Sequence, residues 1–295
     1  MNLPRSVFVA VVMMLSYAVT GAVAGHAAQN ATCTFETFSA PTGYTFSMIN
    51  GVSDDGTVVG QLVNNKTQAF MAFTRSASGA FSEYSAPKSV QTWIYGQSGT
   101  GLNAGSYQDL AYPEHIHGFQ LQNGNFTAVN YPNAVNTWLY DSNMTGTSVG
   151  SYINASYVTK GFMVVNGKYT NIAYSGSQTT NALAVNDNQE VVGSYSSGVM
   201  NNGFSWQNGK FTTINYPNSK YGTVLTGVNN SGVIVGNHIS AEKNSGFIYE
   251  NGGFKGIVYS GAKYTTAGGI NNNGLISGEV FINSTNILGY TAVCK

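Results

Sequence analysis

The sequence predicts an all-β fold: a six-bladed β-propeller of four-stranded antiparallel blades, in which the N- and C-terminal strands share one blade. Three observations predict it. A ten-residue segment occurs six times, with closing glycines 45, 45, 43, 43 and 42 residues apart. An aromatic strand follows each copy, and the two chain ends carry complementary parts of one repeat. Repeats of several short strands at this period are typical of propeller blades.

The ten-residue segment marks a hairpin between two strands. Five copies have a glycine at their centre, and Gln189 takes that place in the fourth copy. Polar residues before a glycine, between β-rich flanks, favour a tight turn because asparagine and glycine tolerate positive φ. The six copies span residues 51–60, 96–105, 141–150, 184–193, 227–236 and 269–278.

The strand after each segment carries an aromatic residue. The aromatic dipeptides are Ala69-Phe70, Gly118-Phe119, Gly161-Phe162, Gly203-Phe204, Gly246-Phe247 and Gly289-Tyr290. In four repeats this strand ends at Asn-Gly, and a further strand then begins with an aromatic residue such as Phe126 or Phe254. A parallel β-helix is the alternative, but its coils are shorter and have no use for an internal Asn-Gly hairpin. Four strands per repeat therefore favour the propeller.

The chain ends predict how the ring closes. The last repeat stops at Lys295 without its final strand, and residues 35–41 supply one that aligns with residues 126–132. This alignment places Cys294 at the position of Asn251 and Cys33 at that of Gly252. The two cysteines, the only ones in the chain, are thus predicted to form a disulfide in place of the missing turn.

Residues 1–28 resemble an export signal, and residues 29–295 are predicted to form one propeller domain. Arg5 precedes an apolar run at 7–23, and small residues follow it. A retained membrane anchor is the alternative, although the run is short for a bilayer span. The sequence thus predicts a secreted or periplasmic protein.

The charge content limits the partners. Only 8% of the residues are charged and the formal net charge is zero. Binding to nucleic acid requires a basic surface that neutralises phosphates, and binding to anionic membranes requires clustered lysine and arginine. Neither partner class is predicted, no cofactor is predicted, and a monomer is expected.

The repeat resembles the bacterial extracellular repeats named HAF after a His-Ala-Phe-like tripeptide. The tripeptide occurs here as His117-Gly118-Phe119, and residues 227–236 are similar to the accompanying family segment. The resemblance covers residues 33–295 and implies export and a repeat fold. It implies no particular activity.

One loop departs from the repeat and gathers reactive side chains. The step from Phe70 to Phe119 is 49 residues, against 42 or 43 for the later aromatic steps. The segment 107–117 holds four candidate ligand-binding residues, Asp109, Glu114, His115 and His117. Histidines two positions apart can ligate a metal or perform acid–base chemistry beside a carboxylate. The alternative is a solvated edge loop.

Trp93 and Trp138 form the second candidate site. Each lies three residues before its ten-residue segment. Indole rings at one repeated position can stack on sugars, or they can pack between neighbouring blades.

Three functions remain open from the sequence. The preferred one is a non-enzymatic binding module for glycans or a cell-envelope protein. The first alternative is a glycan hydrolase or lyase that uses the 107–117 loop. The second is a purely structural surface repeat. No catalytic residue and no metal site is assigned, because most acidic residues lie in the turns of the repeat, where aspartate usually caps its own backbone.

Overall fold

The computed structural model describes residues 29–240 and 244–295. The predicted export signal, residues 1–28, lies outside the described residues. Within the described ranges the regular structure is entirely β-strand. No helix there is long and apolar enough to cross a membrane.

Six four-stranded antiparallel blades form the molecule, and the first strand of each blade is the innermost. This confirms the predicted fold class. In chain order the strands are β1 (Gln29–Asn30) and β2 (Cys33–Phe38); blade 1, β3 (Tyr44–Val52), β4 (Val58–Asn64), β5 (Phe70–Arg75) and β6 (Phe81–Tyr84); blade 2, β7 (Ser89–Gln97), β8 (Asn103–Asp109), β9 (Ile116–Gln122) and β10 (Asn125–Val129); blade 3, β11 (Asn136–Ser142), β12 (Ser148–Ile153), β13 (Thr159–Val165) and β14 (Lys168–Ile172); blade 4, β15 (Thr179–Val185), β16 (Val191–Ser196), β17 (Asn201–Gln207) and β18 (Lys210–Thr213); blade 5, β19 (Gly222–Val228), β20 (Ile234–Ile239), β21 (Asn244–Glu250) and β22 (Gly253–Gly256); blade 6, β23 (Tyr264–Thr265), β24 (Gly269–Ile270), β25 (Leu275–Phe281) and β26 (Ile287–Cys294).

Blade 6 is completed by the N-terminal strand β2, which pairs with β26 as its outermost strand. Cys33 lies opposite Cys294 in this pair, and the two form a disulfide. Two residues further along the same strands, Phe35 pairs with Ala292 as Phe126 pairs with Leu121 in blade 2. In blade 2 the two strands are joined just beyond this pair by the turn Asn123-Gly124. The disulfide therefore occupies the place of that turn, as predicted. Strand β1 instead adds in parallel to β22 of blade 5.

The innermost strands of blades 1 to 5 each contain a β-bulge just before the ten-residue segment. The bulged residues are Asn50, Tyr95, Tyr140, Leu183 and Thr226. Each bulge places the carbonyl group of the residue two positions before it against the closing glycine of the next strand. A Cβ on Gly150, for example, would lie 2.0 Å from the Trp138 carbonyl oxygen. The closing glycines recur because no side chain fits there.

The core consists of layers between adjacent blades, each anchored by one fully buried aromatic residue. These residues are Phe73, Phe119, Phe162, Phe204, Phe247 and Tyr290. Each lies opposite the closing glycine of its blade.

This register corrects the sequence alignment of blade 1. Phe73, not Phe70, lies opposite the closing glycine Gly60. Blade 1 joins its last two strands through residues 76–80 rather than through Asn-Gly, so the local aromatic match was shifted by three residues. The step to Phe119 is therefore 46 residues, the difference between positions 73 and 119, and the blade 2 loop is only slightly longer than its equivalents.

Candidate functional site

The antiparallel meander gives the propeller two different ends. The turns between first and second strands, and between third and fourth strands, all lie at one end, called here the turn end. The connections between second and third strands, and those between blades, lie at the other, called the loop end. The two candidate sites described below lie at opposite ends.

The blade 2 loop at the loop end is folded by Asp109, the last residue of β8. Its Oδ1 accepts hydrogen bonds from the amides of Ala111, at 2.6 Å, and Tyr112, at 3.1 Å. The Asp109 amide itself donates to the His115 carbonyl. The bonds from the Tyr112 and Ala111 amides hold the pKa of Asp109 below its ordinary value. Asp109 is thus a carboxylate at neutral pH and a poor proton donor.

Four rings form a row beside this carboxylate. Ring centroids are 5.7 Å apart from Tyr112 to His115, 6.3 Å from His115 to His117, and 5.3 Å from His117 to Tyr107. Tyr112 is 60% exposed. We call Tyr107, Asp109, Tyr112, His115 and His117 the loop-end cluster.

His117 is held by two polar partners. Its Nε2 lies 3.9 Å from Oδ2 of Asp109, and its Nδ1 lies 3.3 Å from Oδ1 of Asn130. Asn130 belongs to the connection that leads into blade 3. These contacts place a carboxylate beside one nitrogen of the His117 ring and an amide beside the other.

Glu114 does not join the cluster. It is exposed, and no hydrogen bond or ion pair involves its side chain. Across the described parts of the chain, no three His, Cys, Asp or Glu side chains are grouped so that they could hold a metal ion. Of the four predicted loop residues, the structure therefore brings together Asp109, His115 and His117.

Tyr107 lacks a stacking partner that its equivalents have. In blade 3, Tyr152 is covered by Tyr131 from the preceding connection, and Tyr152 is only 6% exposed. Ala86 occupies the corresponding connection before blade 2, and Tyr107 remains partly exposed. The sequence indicates this missing stack, because Ala86 precedes Pro87 where Tyr131 precedes Pro132 in the next connection.

Trp93 and Trp138 are separate from the loop-end cluster. Both lie within innermost strands, opposite Ser106 and Ser151, and both are partly buried. Among the described aromatic residues, neither indole makes a ring contact with any member of the cluster. The ring row of the loop-end cluster therefore includes His115 and His117 but neither indole.

A second candidate site, which was not predicted, lies on the propeller axis at the turn end. Residues from all six blades line a cavity of about 80 Å³ there. Two of the bulged residues, Tyr95 and Tyr140, contact each other edge to face with centroids 5.1 Å apart. Asp141 follows Tyr140 and also lines the cavity.

Asp141 is the carboxylate enclosed at the axis. Its Oδ1 accepts from the Ser142 amide at 2.9 Å, and its Oδ2 from the Val185 amide of blade 4 at 3.0 Å. Burial raises the pKa of Asp141 to about 7, against these two hydrogen bonds that lower it, and the nearby Asp187 carboxylate raises it slightly further. The repeat contained the signal, because the other five copies have glycine or alanine at this position: Gly51, Gly96, Ala184, Gly227 and Gly269.

Side chains of the turns connect successive blades around the cavity mouth. Asn186 Nδ2 donates to the Asn229 carbonyl, and the Asp187 amide donates to Oδ1 of Asn230. Equivalent bonds connect blades 3 to 4, 5 to 6 and 6 to 1. In blades 1 and 2 the side chains that make these bonds are replaced by Ser53, Ser98 and Gly99. Among the described turns, no such bond joins blade 1 to blade 2 or blade 2 to blade 3. This network, called the turn ring, is open beside Asp141.

No family model and no curated protein matches the chain. Solved structures do resemble it. A triple mutant of AofleA from Arthrobotrys oligospora has a TM-score of 0.54 and 11% identity over 90% of this chain and 88% of that one. The Aleuria aurantia lectin, described as a six-bladed β-propeller with a novel mode of fucose recognition, has a TM-score of 0.53 and 10% identity over 84% and 91%.

TolB from Acinetobacter baumannii has a TM-score of 0.59 and 9% identity. The match covers 80% of this chain and 63% of TolB, so this chain corresponds to less than two thirds of that protein. At such identities the three likenesses show the propeller fold alone.

Proposed function

We propose that this chain is a non-enzymatic binding module that recognises glycans through the loop-end cluster. The row of four rings beside Asp109 and Asn130 carries the proposal. Aromatic faces pack against the apolar C–H faces of sugars, while carboxylate and amide oxygens accept hydrogen bonds from sugar hydroxyls. The lectin described above is consistent with such a role at the level of fold.

The cluster is preorganised for binding. Asp109 Oδ1 is fixed by two loop amides, so its Oδ2 has a defined position beside His117. A site held in place before the ligand arrives loses less conformational entropy on binding. Rigid rings with few rotatable bonds have the same advantage.

A hydrolase at this site is disfavoured by the state of its carboxylates. Glycoside hydrolysis usually needs a pair of carboxyl groups, one of them protonated at working pH because its pKa is raised. The two available groups are Asp109, whose pKa is lowered by the Tyr112 and Ala111 amides, and Glu114, which points to no partner in the cluster. The lowered pKa of Asp109 therefore does not suit it to be the general acid that the reaction needs.

The disulfide between Cys33 and Cys294 supports a location outside the cytoplasm. Disulfides persist in oxidising compartments such as the periplasm or the extracellular space. We therefore propose that the protein acts there, in agreement with the export signal predicted at residues 1–28 and with the HAF resemblance.

A cell-envelope protein is the second candidate partner, and one observation favours it. The connections between second and third strands in blades 2, 3 and 4 all expose large apolar side chains at the loop end. These are Leu110, Tyr112, Tyr157, Val199 and Met200, from 47% to 79% exposed. Adjacent exposed apolar groups are common at protein interfaces.

Glycan-array screening of the disulfide-bonded protein, followed by isothermal titration with the best oligosaccharide, tests the proposal. We expect Tyr112→Ala and His117→Ala each to weaken binding about tenfold, by loss of a stacking surface or of a polar contact. Tyr157→Ala is the matched control, because it removes an exposed tyrosine from the equivalent connection of blade 3, and it should bind like the wild type.

Three results would contradict the proposal. One is binding to no glycan by a protein whose melting transition shows that it is folded. Another is release of new reducing ends from a glycan substrate that Asp109→Asn abolishes, which would establish the hydrolase. The third is loss of glycan binding in Trp93→Ala/Trp138→Ala but not in the loop-end variants, which would move the site to the innermost strands.

A further inference from the structure

The lining of the axial cavity differs between blades at the bulged position. The bulged position holds tyrosine in blades 2 and 3, whereas Asn50, Leu183 and Thr226 hold it in blades 1, 4 and 5. β-Bulges re-aim side chains and are frequent beside binding sites. Blades without these tyrosines form the same strands, so the ring pair Tyr95–Tyr140 has no evident folding role.

The charges of the lining are all of one sign. Asp54, Asp141 and Asp187 line the cavity, and no lysine, arginine or histidine of the described residues does. Both oxygens of Asp54 accept hydrogen bonds from Asn272, and those of Asp187 accept from the Met144 amide and the Asn230 side chain. These two carboxylates therefore belong to the turn ring.

Asp141 is the lining carboxylate that no side chain of the turn ring engages, since both of its hydrogen bonds come from backbone amides. Each of its oxygens accepts a single backbone hydrogen bond, and a carboxylate oxygen can accept about two. A carboxylate enclosed without a cation loses hydration that two backbone hydrogen bonds compensate only in part. A cationic ligand in the cavity would supply that compensation.

The cavity volume limits the size of the bound group. A volume of about 80 Å³ accommodates roughly five to eight water molecules, since one water needs about 10–15 Å³ by the same measure. An engineered apolar cavity of about 150 Å³ binds benzene, which makes the axial cavity about half that size. The enclosed part of the ligand is thus a head group of a few non-hydrogen atoms.

The donor set favours an ammonium group over a metal ion. Calcium takes about six to eight oxygen ligands, usually with several carboxylates. Here side chains of the turn ring already donate to Asp54 and Asp187, and Asp141 is the one lining carboxylate to which none donates. An ammonium group can donate hydrogen bonds to one carboxylate while it lies near aromatic rings, which attract cations through their π faces. From these features we propose that the axial cavity binds a protonated primary amine, held by Asp141 beside the rings of Tyr95 and Tyr140.

The opening in the turn ring provides an entrance. The turns of blades 1, 2 and 3 lack the bonds that join the other turns, and Gly99 has no side chain at the mouth. A Cβ there would lie 2.9 Å from Sδ of Met144 and 3.0 Å from Oδ2 of Asp54. Glycine at position 99 therefore lets the Met144 side chain and the Asp54 carboxylate lie directly against the turn of blade 2 at the mouth.

Isothermal titration of the disulfide-bonded protein with methylammonium chloride at pH 8 tests this proposal, with methanol as the neutral probe of similar size. We expect saturable binding of methylammonium and at least about tenfold weaker binding of methanol, because a charge-assisted hydrogen bond is lost. Asp141→Ala should weaken methylammonium binding about tenfold or more. This variant should fold, since blade 4 has Ala184 at the equivalent position.

Asp187→Asn is the matched control. It removes a nearby negative charge and keeps the bond from the Met144 amide to Oδ1, at the loss of the bond from Asn230 Nδ2 to Oδ2. Asparagine is the residue at the same position in blades 5 and 6, where it is Asn230 and Asn272. We expect its affinity to stay within about threefold of the wild type, since a charge at the wet mouth is screened. Tyr95→Leu should weaken binding and Tyr95→Phe should not, because only the former removes the ring.

The affinity should also depend on pH. The titratable groups around the cavity are Asp54, Asp141, Asp187, Tyr95 and Tyr140. Methylammonium remains charged between pH 5 and 8, so protonation of Asp141 should weaken binding about tenfold or more at pH 5, and Asp141→Ala should abolish this dependence.

Four results would overturn the proposal. The first is no heat of binding with methylammonium at up to about 100 millimolar, roughly the weakest dissociation constant that a charge-assisted contact allows. The others are equal binding of methanol, equal loss of affinity in Asp187→Asn and Asp141→Ala, and tighter binding of calcium chloride than of methylammonium. Because this site lies at the turn end, its failure would leave the glycan proposal for the loop end untouched.

Discussion

Tyr131 and Tyr152 stack face to face, with ring centroids 3.6 Å apart and ring planes 5° apart. Tyr131 comes from the connection that leaves blade 2, and Tyr152 from the second strand of blade 3. The same arrangement joins Tyr174 to Tyr195 at 3.7 Å and Tyr216 to His238 at 4.0 Å. Three consecutive connections are thus packed against the blades that they enter.

We expect Tyr131→Ala to destabilise the fold by about 2–4 kcal/mol, because a partly buried ring and its stacking contact are both lost. Thermal unfolding followed by circular dichroism measures this as a Tm lowered by roughly 5–10 °C. Tyr131→Phe retains the ring and should change the stability by less than about 1 kcal/mol. Equal melting temperatures for Tyr131→Ala and the exposed-site variant Tyr157→Ala would contradict a stabilising role for the stack.

Gly150→Ala should be among the most damaging single substitutions, because its Cβ would overlap the Trp138 carbonyl oxygen at 2.0 Å and approach the Phe162 ring at 2.9 Å. We expect a loss of about 3 kcal/mol or more, since backbone cannot move aside as a flexible side chain can. Urea unfolding checks the value. Gly253→Ala is the control: its nearest neighbour is the Glu250 carbonyl at 3.5 Å, an ordinary contact, so its stability should change by less than about 1 kcal/mol.

Replacing both Cys33 and Cys294 by serine should lower stability without changing the fold. The disulfide closes a sequence separation of 261 residues, and the chain-entropy model sets its contribution at about 5 kcal/mol or less. Urea unfolding of the double variant should show a lower midpoint, and wild type with reductant should match it. An unchanged midpoint would mean that the pairing of β2 with β26 alone holds the chain ends together.

Glu279 makes stability depend on pH. It is 6% exposed, its Oε1 has no hydrogen-bond partner, and its Oε2 accepts from Thr266 at 3.4 Å. Burial raises its pKa from 4.5 to about 8, against the Thr266 hydrogen bond, which lowers it. Between these two pH values the unfolded chain ionises while the native carboxyl stays protonated. Stability is therefore highest below about pH 4.5 with respect to this group, and it falls as the pH rises to about 8.

We expect Glu279→Gln to remove this dependence and to stabilise the protein by about 2–5 kcal/mol at pH 8, from roughly 1.4 kcal/mol per unit of pKa shift. Glutamine is suited to the site because Gln61 occupies the equivalent position in blade 1, where it is buried. Urea midpoints measured from pH 5 to 8 for both proteins give the difference. The other enclosed carboxyl, that of Asp141, contributes the same pH dependence to both proteins, so it cancels in the difference between their midpoints. Parallel pH profiles for the two proteins would show that Glu279 ionises freely in the native state.

The sequence by itself determined the six-bladed architecture, the composite blade and the disulfide between Cys33 and Cys294. These features follow from local chemistry that repeats: glycine where backbone approaches closely, Asn-Gly where φ is positive, and aromatic residues where blades pack. The 107–117 loop stood out through its acidic residues and histidines, whereas part of its apparent extra length came from the misaligned Phe70. The alignment failed in blade 1, where strand register is set by the partner of Gly60 and not by the nearest aromatic dipeptide.

The candidate sites required the tertiary structure. Asp109, His115 and His117 meet Asn130 because the connection into blade 3 passes beside the blade 2 loop. Glu114, adjacent in sequence, stays apart. In the sequence Asp141 differs from the glycine or alanine of the other five copies, but only closure of six blades around an axis encloses it with Tyr95 and Tyr140. A repeat specifies each blade through contacts near in sequence, whereas burial of a charge depends on the simultaneous presence of all six.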